Sequence, residues 1–158
     1  MILLPPELRF ALRANAIQRR ATLDRNRRAA ERKDERFDPV PVLKLFNPLG
    51  AATWLATELA DDDDTLFGLA DLGFGCPELG AFSLSEIASV RLPFGLGIER
   101  DLAYEGRHRL SIWTAWSRRA GSILWAETLL RRVAPGTNSR DEIGPPPDAS
   151  PQETDGAG

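Results

Sequence analysis

The sequence predicts an α+β domain with a mostly antiparallel sheet, a three-strand meander plus a fourth strand, and helices packed on one face. Three observations predict it. From Asp38 to Tyr104, short apolar and β-branched stretches alternate with glycine and proline turns. Inside that run, Ser83-Leu84-Ser85-Glu86 forms a capping box that opens one short helix. On both sides of the run, apolar residues recur at helical spacing.

Residues 6–36 read as helix, with Leu8, Leu12, Ala16 and Leu23 in phase. From Arg25 onward the stretch is nearly all polar. A helix that is polar all round projects into solvent, so the first half is expected to dock and the second is not. Val40 to Phe46 is the first strand. Asn47-Pro48-Leu49-Gly50 predicts a three-residue hairpin loop, with Pro48 setting φ and Gly50 left-handed in a bulge. Ala52 to Leu59 returns as the second strand. Asp61 to Asp64 are expected in an exposed turn, because four adjacent carboxylates repel one another and resist burial.

Thr65 to Leu72 completes the meander. Gly73 to Gly80 reads as an irregular loop, followed by a short apolar stretch at Ala81-Phe82. After the capped helix, which runs to about Val90, Pro93, Gly95 and Gly97 lead into a strand over Ile98–Tyr104. Leu110 to Val133 reads as helix, with Trp113, Trp116, Ile123, Leu124 and Leu130 on an apolar side and a break at Gly121-Ser122. From Pro135 the proline, glycine and polar content predicts a disordered tail. The expected organisation is a helix and basic arm over 1–36, a core over 37–124, a helical extension over 125–134 and a tail over 135–158.

At 158 residues the chain has room for one modest core with flanks. No apolar run approaches the roughly 20 residues that span a bilayer, and Met1 to Pro6 is too short for a secretory signal. With Cys76 as the single cysteine, no internal disulfide can form, which fits a reducing cytoplasm. One cysteine and one histidine, His108, rule out the usual zinc sets. No metal and no cofactor are expected.

Charge is unevenly placed. Residues 1–36 hold 10 Lys+Arg against 5 Asp+Glu, whereas residues 37–158 hold 10 against 18. A basic arm on an acidic body suits nucleic acid or an acidic partner, through Arg19, Arg20, Arg25, Arg27 and Arg28. It equally suits a solvated helix, since Glu31, Asp34 and Glu35 dilute it and no aromatic interleaves between Phe10 and Arg36.

Five residues of the central run are candidate ligand or partner contacts: Lys44, Trp54, Asp71, Glu78 and Arg100. A three-residue first hairpin places Lys44 opposite Trp54 and, across the next, Asp71 in the same row. Such a row can bind a polar planar ligand, or it is a lysine stem on indole with its head on Asp71. A slip of one residue removes it. Arg100 lies with Ile98 and Leu102 on one strand face and needs a carboxylate, for which topology offers Glu78 or Asp71. The glycines around Cys76 match neither G-x-G-x-x-G nor a phosphate-binding P-loop, and read first as a shaped turn. Cys76 with His108 as base, and a hard metal on Asp71, Glu78, Glu99 and Asp101, are weaker readings than solvated or ion-paired side chains. Trp113, Trp116 and Trp125 are core residues or a partner-facing stripe.

Several segments in register carry a family resemblance: Asp38-Pro-Val-Pro-Val-Leu-Lys-Leu-Phe-Asn-Pro-Leu-Gly, Phe67-Gly-Leu-Ala-Asp-Leu-Gly, Cys76-Pro-Glu-Leu-Gly, Phe82-Ser-Leu-Ser-Glu and Gly95-Leu-Gly-Ile-Glu-Arg-Asp-Leu. In this order and spacing the chain resembles the bacterial domain-of-unknown-function family 2958. The resemblance spans about residues 1–14 and 38–124. The arginine-rich stretch from Arg19 to Arg36 looks longer than that family's linker, and the segment after Leu124 looks like an addition. The resemblance implies a small cytoplasmic protein met on plasmids and integrative elements, with no established activity.

Together these readings point to a non-enzymatic binding or adaptor module that meets a protein partner through the sheet face or the last helix. Two alternatives stand beside it: an enzyme acting on nucleic acid or a phosphorylated ligand, and nucleic-acid binding through the basic arm.

Overall fold

The computed structural model describes residues 1–29 and 36–133. The first helix, α1, runs from Pro6 to Arg28, with proline in its first turn, where the missing N–H costs nothing. Leu12 and Thr22 are its buried residues. The docked face of α1 runs through Leu12, Asn15, Arg19 and Thr22, all before Arg25, while Arg25, Arg27 and Arg28 are exposed, as expected of the polar half. Residues 30–35 of the expected arm, and the expected tail from Pro135, lie outside the described residues.

Five strands follow: β1 (Leu43–Phe46), β2 (Thr53–Leu59), β3 (Thr65–Asp71), β4 (Glu78–Ser83) and β5 (Glu99–Arg100). They form one antiparallel sheet in the order β4-β3-β2-β1-β5. The α+β class and the antiparallel meander therefore hold, with one strand more than expected. That strand is β4, where an irregular loop was expected over its first half. Glycine hides it in the sequence, yet Gly80 pairs directly with Gly68. Gly68 itself is fixed by contact, since a Cβ there would lie 1.8 Å from the Leu55 carbonyl oxygen.

The first hairpin differs from expectation by one residue. The Asn47 N–H donates to the Ala52 carbonyl at 2.9 Å, and the Asn47 side chain accepts from Leu49 N–H at 2.8 Å. The loop is thus the four residues 48–51, and Gly50 is not among the left-handed glycines, which are Gly73, Gly75, Gly95 and Gly121. An asparagine side chain that bonds its own backbone two residues on closes this turn without a bulge. Lys44 consequently faces Leu55, and Leu45 faces Trp54.

Every residue of β2 is buried. A strand buried along its whole length lies between two layers, and the sheet carries helices on both faces rather than on one. Trp54 and Ala56 point into a core with Leu12 of α1, Leu43, Leu45 and Leu66. Leu55 and Leu69 point into a second core with α3 (Leu110–Ala120) and α4 (Ile123–Val133) through Trp113, Trp116, Ile123 and Leu130. Gly121, at φ 80°, turns α3 into α4. The remaining helix, α2 (Leu84–Ser89), is capped as expected, the Ser83 hydroxyl accepting from Glu86 N–H.

Three aspartates distant in sequence complete the helix starts. Asp38 accepts from Ser111 N–H at 2.9 Å for α3, Asp64 from Ser85 N–H at 2.7 Å for α2, and Asp71 from Ile123 N–H at 2.9 Å for α4. Each places a carboxylate at the positive end of a helix, satisfying an amide that the helix cannot.

Candidate functional site

Lys44 sits in the middle of β1 and is 5% exposed. Its side chain reaches the layer of α3 and α4, where burying an ammonium demands partners. Nζ donates to Asp101 Oδ2 at 2.9 Å and to Glu127 Oε2 at 2.5 Å. The other Glu127 oxygen accepts from Arg131 one helical turn on. Two carboxylates thus face two cations, and the lysine is doubly satisfied. Burial alone raises the Asp101 carboxyl, but the hydrogen bond and charge of Lys44 hold it below the usual carboxylate range.

Asp101 also accepts from Ala103 N–H at 2.9 Å, which shapes the loop leading to Tyr104. The Tyr104 phenol donates to the Pro41 carbonyl at 3.0 Å. Its pKa is raised above the usual tyrosine range by burial first, then by the Glu127 and Asp101 charges. Beside this network opens a cleft of about 340 Å³. One wall is the loop from Ala103 to His108, the other is α4 through Glu127, Leu130 and Arg131, and Trp113 of α3 adds to the lining.

The loop wall carries its own ion pair, with Arg107 donating to Glu105 at 2.5 Å. His108 packs edge-on to Trp113, ring centroids 6.2 Å apart. Burial, and secondarily the Arg107 charge, lower its pKa and favour the neutral imidazole. The cleft offers opposite charges on both walls and aromatic surface between them. Its chemistry is that of binding a ligand with polar ends and an apolar body.

Of the five sequence candidates, Lys44 alone belongs to this network. Trp54 lies on the opposite sheet face, so the expected row of Lys44, Trp54 and Asp71 does not form; the longer hairpin loop shifts the register by the one residue that breaks it. Asp71 shares the Lys44 face but is spent at the start of α4 and on Gly73 N–H at 2.9 Å. Glu78 is exposed on β4 and Arg100 lies on β5, at opposite edges of the sheet, so the expected pairing of Arg100 with Glu78 is ruled out. Asp71, bonded to backbone amides, is not its partner either, and the Arg100 Nε is buried without a hydrogen bond. Among the described residues, no three His, Cys, Asp or Glu side chains are grouped to hold a metal ion.

Sequence reasoning missed Asp101 and Glu127 as partners of Lys44, and Tyr104 as part of the cleft beside them. The Glu127–Arg131 spacing of i, i+4 was a readable signal. Nothing local connects either residue to a strand more than eighty residues earlier.

The basic side of α1 has partners within the domain. Arg9 pairs with Asp63 at 3.1 Å, and Arg13 and Arg20 with Asp61 at 3.2 and 3.6 Å. Arg19 donates to the buried Glu58 at 2.6 Å and stacks 4.8 Å from the Phe67 ring centre. Arg25 donates to the Thr22 hydroxyl at 3.2 Å. On the side of α1 away from the sheet, Phe10, Ala14, Ile17 and Ala21 are exposed, with Phe10 at 77% and Ile17 at 65%. Their spacing of 4, 3 and 4 residues lays them in one stripe. No helix among the described residues is long and apolar enough to cross a membrane.

A family described as "Protein of unknown function (DUF2958)" matches residues 3–124. No curated protein and no solved structure matches the chain.

Proposed function

The chain belongs to the DUF2958 family, and on that premise we propose that it is a cytoplasmic, non-enzymatic binding module that docks a protein partner through the outer face of α1. The bacterial plasmids and integrative elements implied by the sequence resemblance are the setting of this reading. The observation that carries it is the exposed stripe of Phe10, Ala14, Ile17 and Ala21, on the side of α1 away from the buried Leu12 and Thr22. Apolar side chains at 3–4 spacing are what a partner helix packs against, and two alanines allow close approach. The stripe runs toward the exposed Arg27 and Arg28, which favours a partner helix with acidic residues at that end.

The centre of the sheet is no longer part of the reading, because helices cover both faces of the fully buried β2. The enzymatic alternative loses its basis in Glu78 and Arg100, which stand at opposite sheet edges. Nucleic-acid binding through the arm is disfavoured at Arg19, which the buried Glu58 holds at 2.6 Å. A photo-crosslinking residue placed at Ile17 in the native host tests the reading. It should give one discrete adduct that is absent when the same residue replaces Ala88 of α2. Identical adducts from both positions, or none, would reject it.

A further inference from the structure

We propose that the cleft between the Ala103–His108 loop and α4 binds a small zwitterion, an α-amino acid with an aromatic side chain. Each wall carries one ion pair, Glu105–Arg107 on the loop and Glu127–Arg131 on the helix. A lining with equal and alternating charge disfavours a simple anion, which meets two carboxylates, and a simple cation, which meets two guanidiniums. A ligand with an ammonium and a carboxylate on one carbon pairs with a carboxylate and a guanidinium at once.

The guanidiniums have donors left for this role. Each has five N–H groups, and Arg107 and Arg131 remain 71% and 76% exposed at the side chain. Glu127 is held differently. It is 16% exposed, and Lys44 fixes one of its oxygens from inside the sheet. Lys44 is therefore a positioning residue that presents the Glu127 carboxylate to the cleft without entering it. Tyr104, Trp113 and Leu130 supply the apolar surface for the ligand side chain, and about 340 Å³ holds one aromatic amino acid.

The test is a titration of the full chain with L-phenylalanine, followed by amide chemical shifts. Two half-ligands are run beside it: 3-phenylpropionate, which lacks the ammonium, and phenethylamine, which lacks the carboxylate. Saturable binding is expected, with shifts in residues 103–108 and 127–131. Each half-ligand should bind at least about tenfold more weakly, the loss of one charge-assisted contact. Glu105→Gln and Arg107→Gln alter exposed side chains and should leave the fold intact while each weakens L-phenylalanine about fivefold or more. Absence of saturable binding would overturn the proposal, as would a half-ligand equal to the amino acid or affinity unchanged in both variants.

Discussion

The Asp71 carboxylate accepts the backbone N–H of Ile123 at 2.9 Å, so the last residue of β3 caps the first turn of α4. Its other oxygen holds Gly73 N–H at the same distance. One fully buried side chain thus ties a strand end, a loop and a helix start together. Asp71→Ala should cost about 2 kcal/mol, the loss of a cap plus orphaned buried amides. Asp71→Asn keeps one acceptor and should cost less. Urea unfolding midpoints rank the two.

Lys44 is the hub of the second core's polar network. Lys44→Met would leave Asp101 and Glu127 facing each other across a buried site. Removing one partner of a buried ion pair costs about 3–5 kcal/mol. A drop of that size in equilibrium stability is expected, partly recovered in Lys44→Met combined with Glu127→Gln. No recovery in the double variant would mean that the pair is not coupled.

Gly68 is required by contact rather than by conformation. A methyl group would meet the Leu55 carbonyl at 1.8 Å, so β2 and β3 must separate to admit it. Gly68→Ala should lower the Tm by more than 10 °C or prevent folding, whereas Gly80→Ala, with nothing within 4 Å, should be nearly neutral.

Acid should destabilise the protein progressively below about pH 4. Asp62 is lowered to about 2 by Thr65 hydroxyl and backbone hydrogen bonds, and Asp64 is lowered by its Ser83 and Ser85 bonds. Asp101 is lowered despite burial. Carboxyls whose folded pKa lies below the unfolded value stabilise fully above the unfolded pKa and lose that contribution as pH falls through the folded one. The unfolding midpoint in urea should therefore be flat above pH 5 and fall between about pH 4 and pH 2. Asp64→Asn should flatten that fall.

The meander, the capping box and the helix break at Gly121 could be read in advance because each is fixed by local chemistry. A proline or glycine at a turn and a serine three residues before a glutamate act within one turn of chain. The register of the first hairpin could not be read, since Asn47-Pro48-Leu49-Gly50 suits a loop of three or four residues. The Asn47 side chain, bonded to Leu49 N–H, accompanies the longer one. That single residue moved Trp54 to the other face and removed the expected site. The acidic run Asp61–Asp64 was expected as an exposed turn. Asp61, Asp62 and Asp63 are exposed, yet Asp61 and Asp63 hold α1 through Arg9, Arg13 and Arg20, and Asp64 starts α2. Long-range charge pairing of this kind leaves no local pattern to read.

The most direct test of the proposed docking face is affinity isolation from the native host with Phe10→Glu combined with Ile17→Glu. Phe94→Glu, at an exposed residue outside α1, serves as the control. Both variants should unfold at the wild-type temperature. The account predicts that the α1 variant loses a partner that wild type and Phe94→Glu both retain. The same partners recovered in equal amount from all three proteins would contradict it.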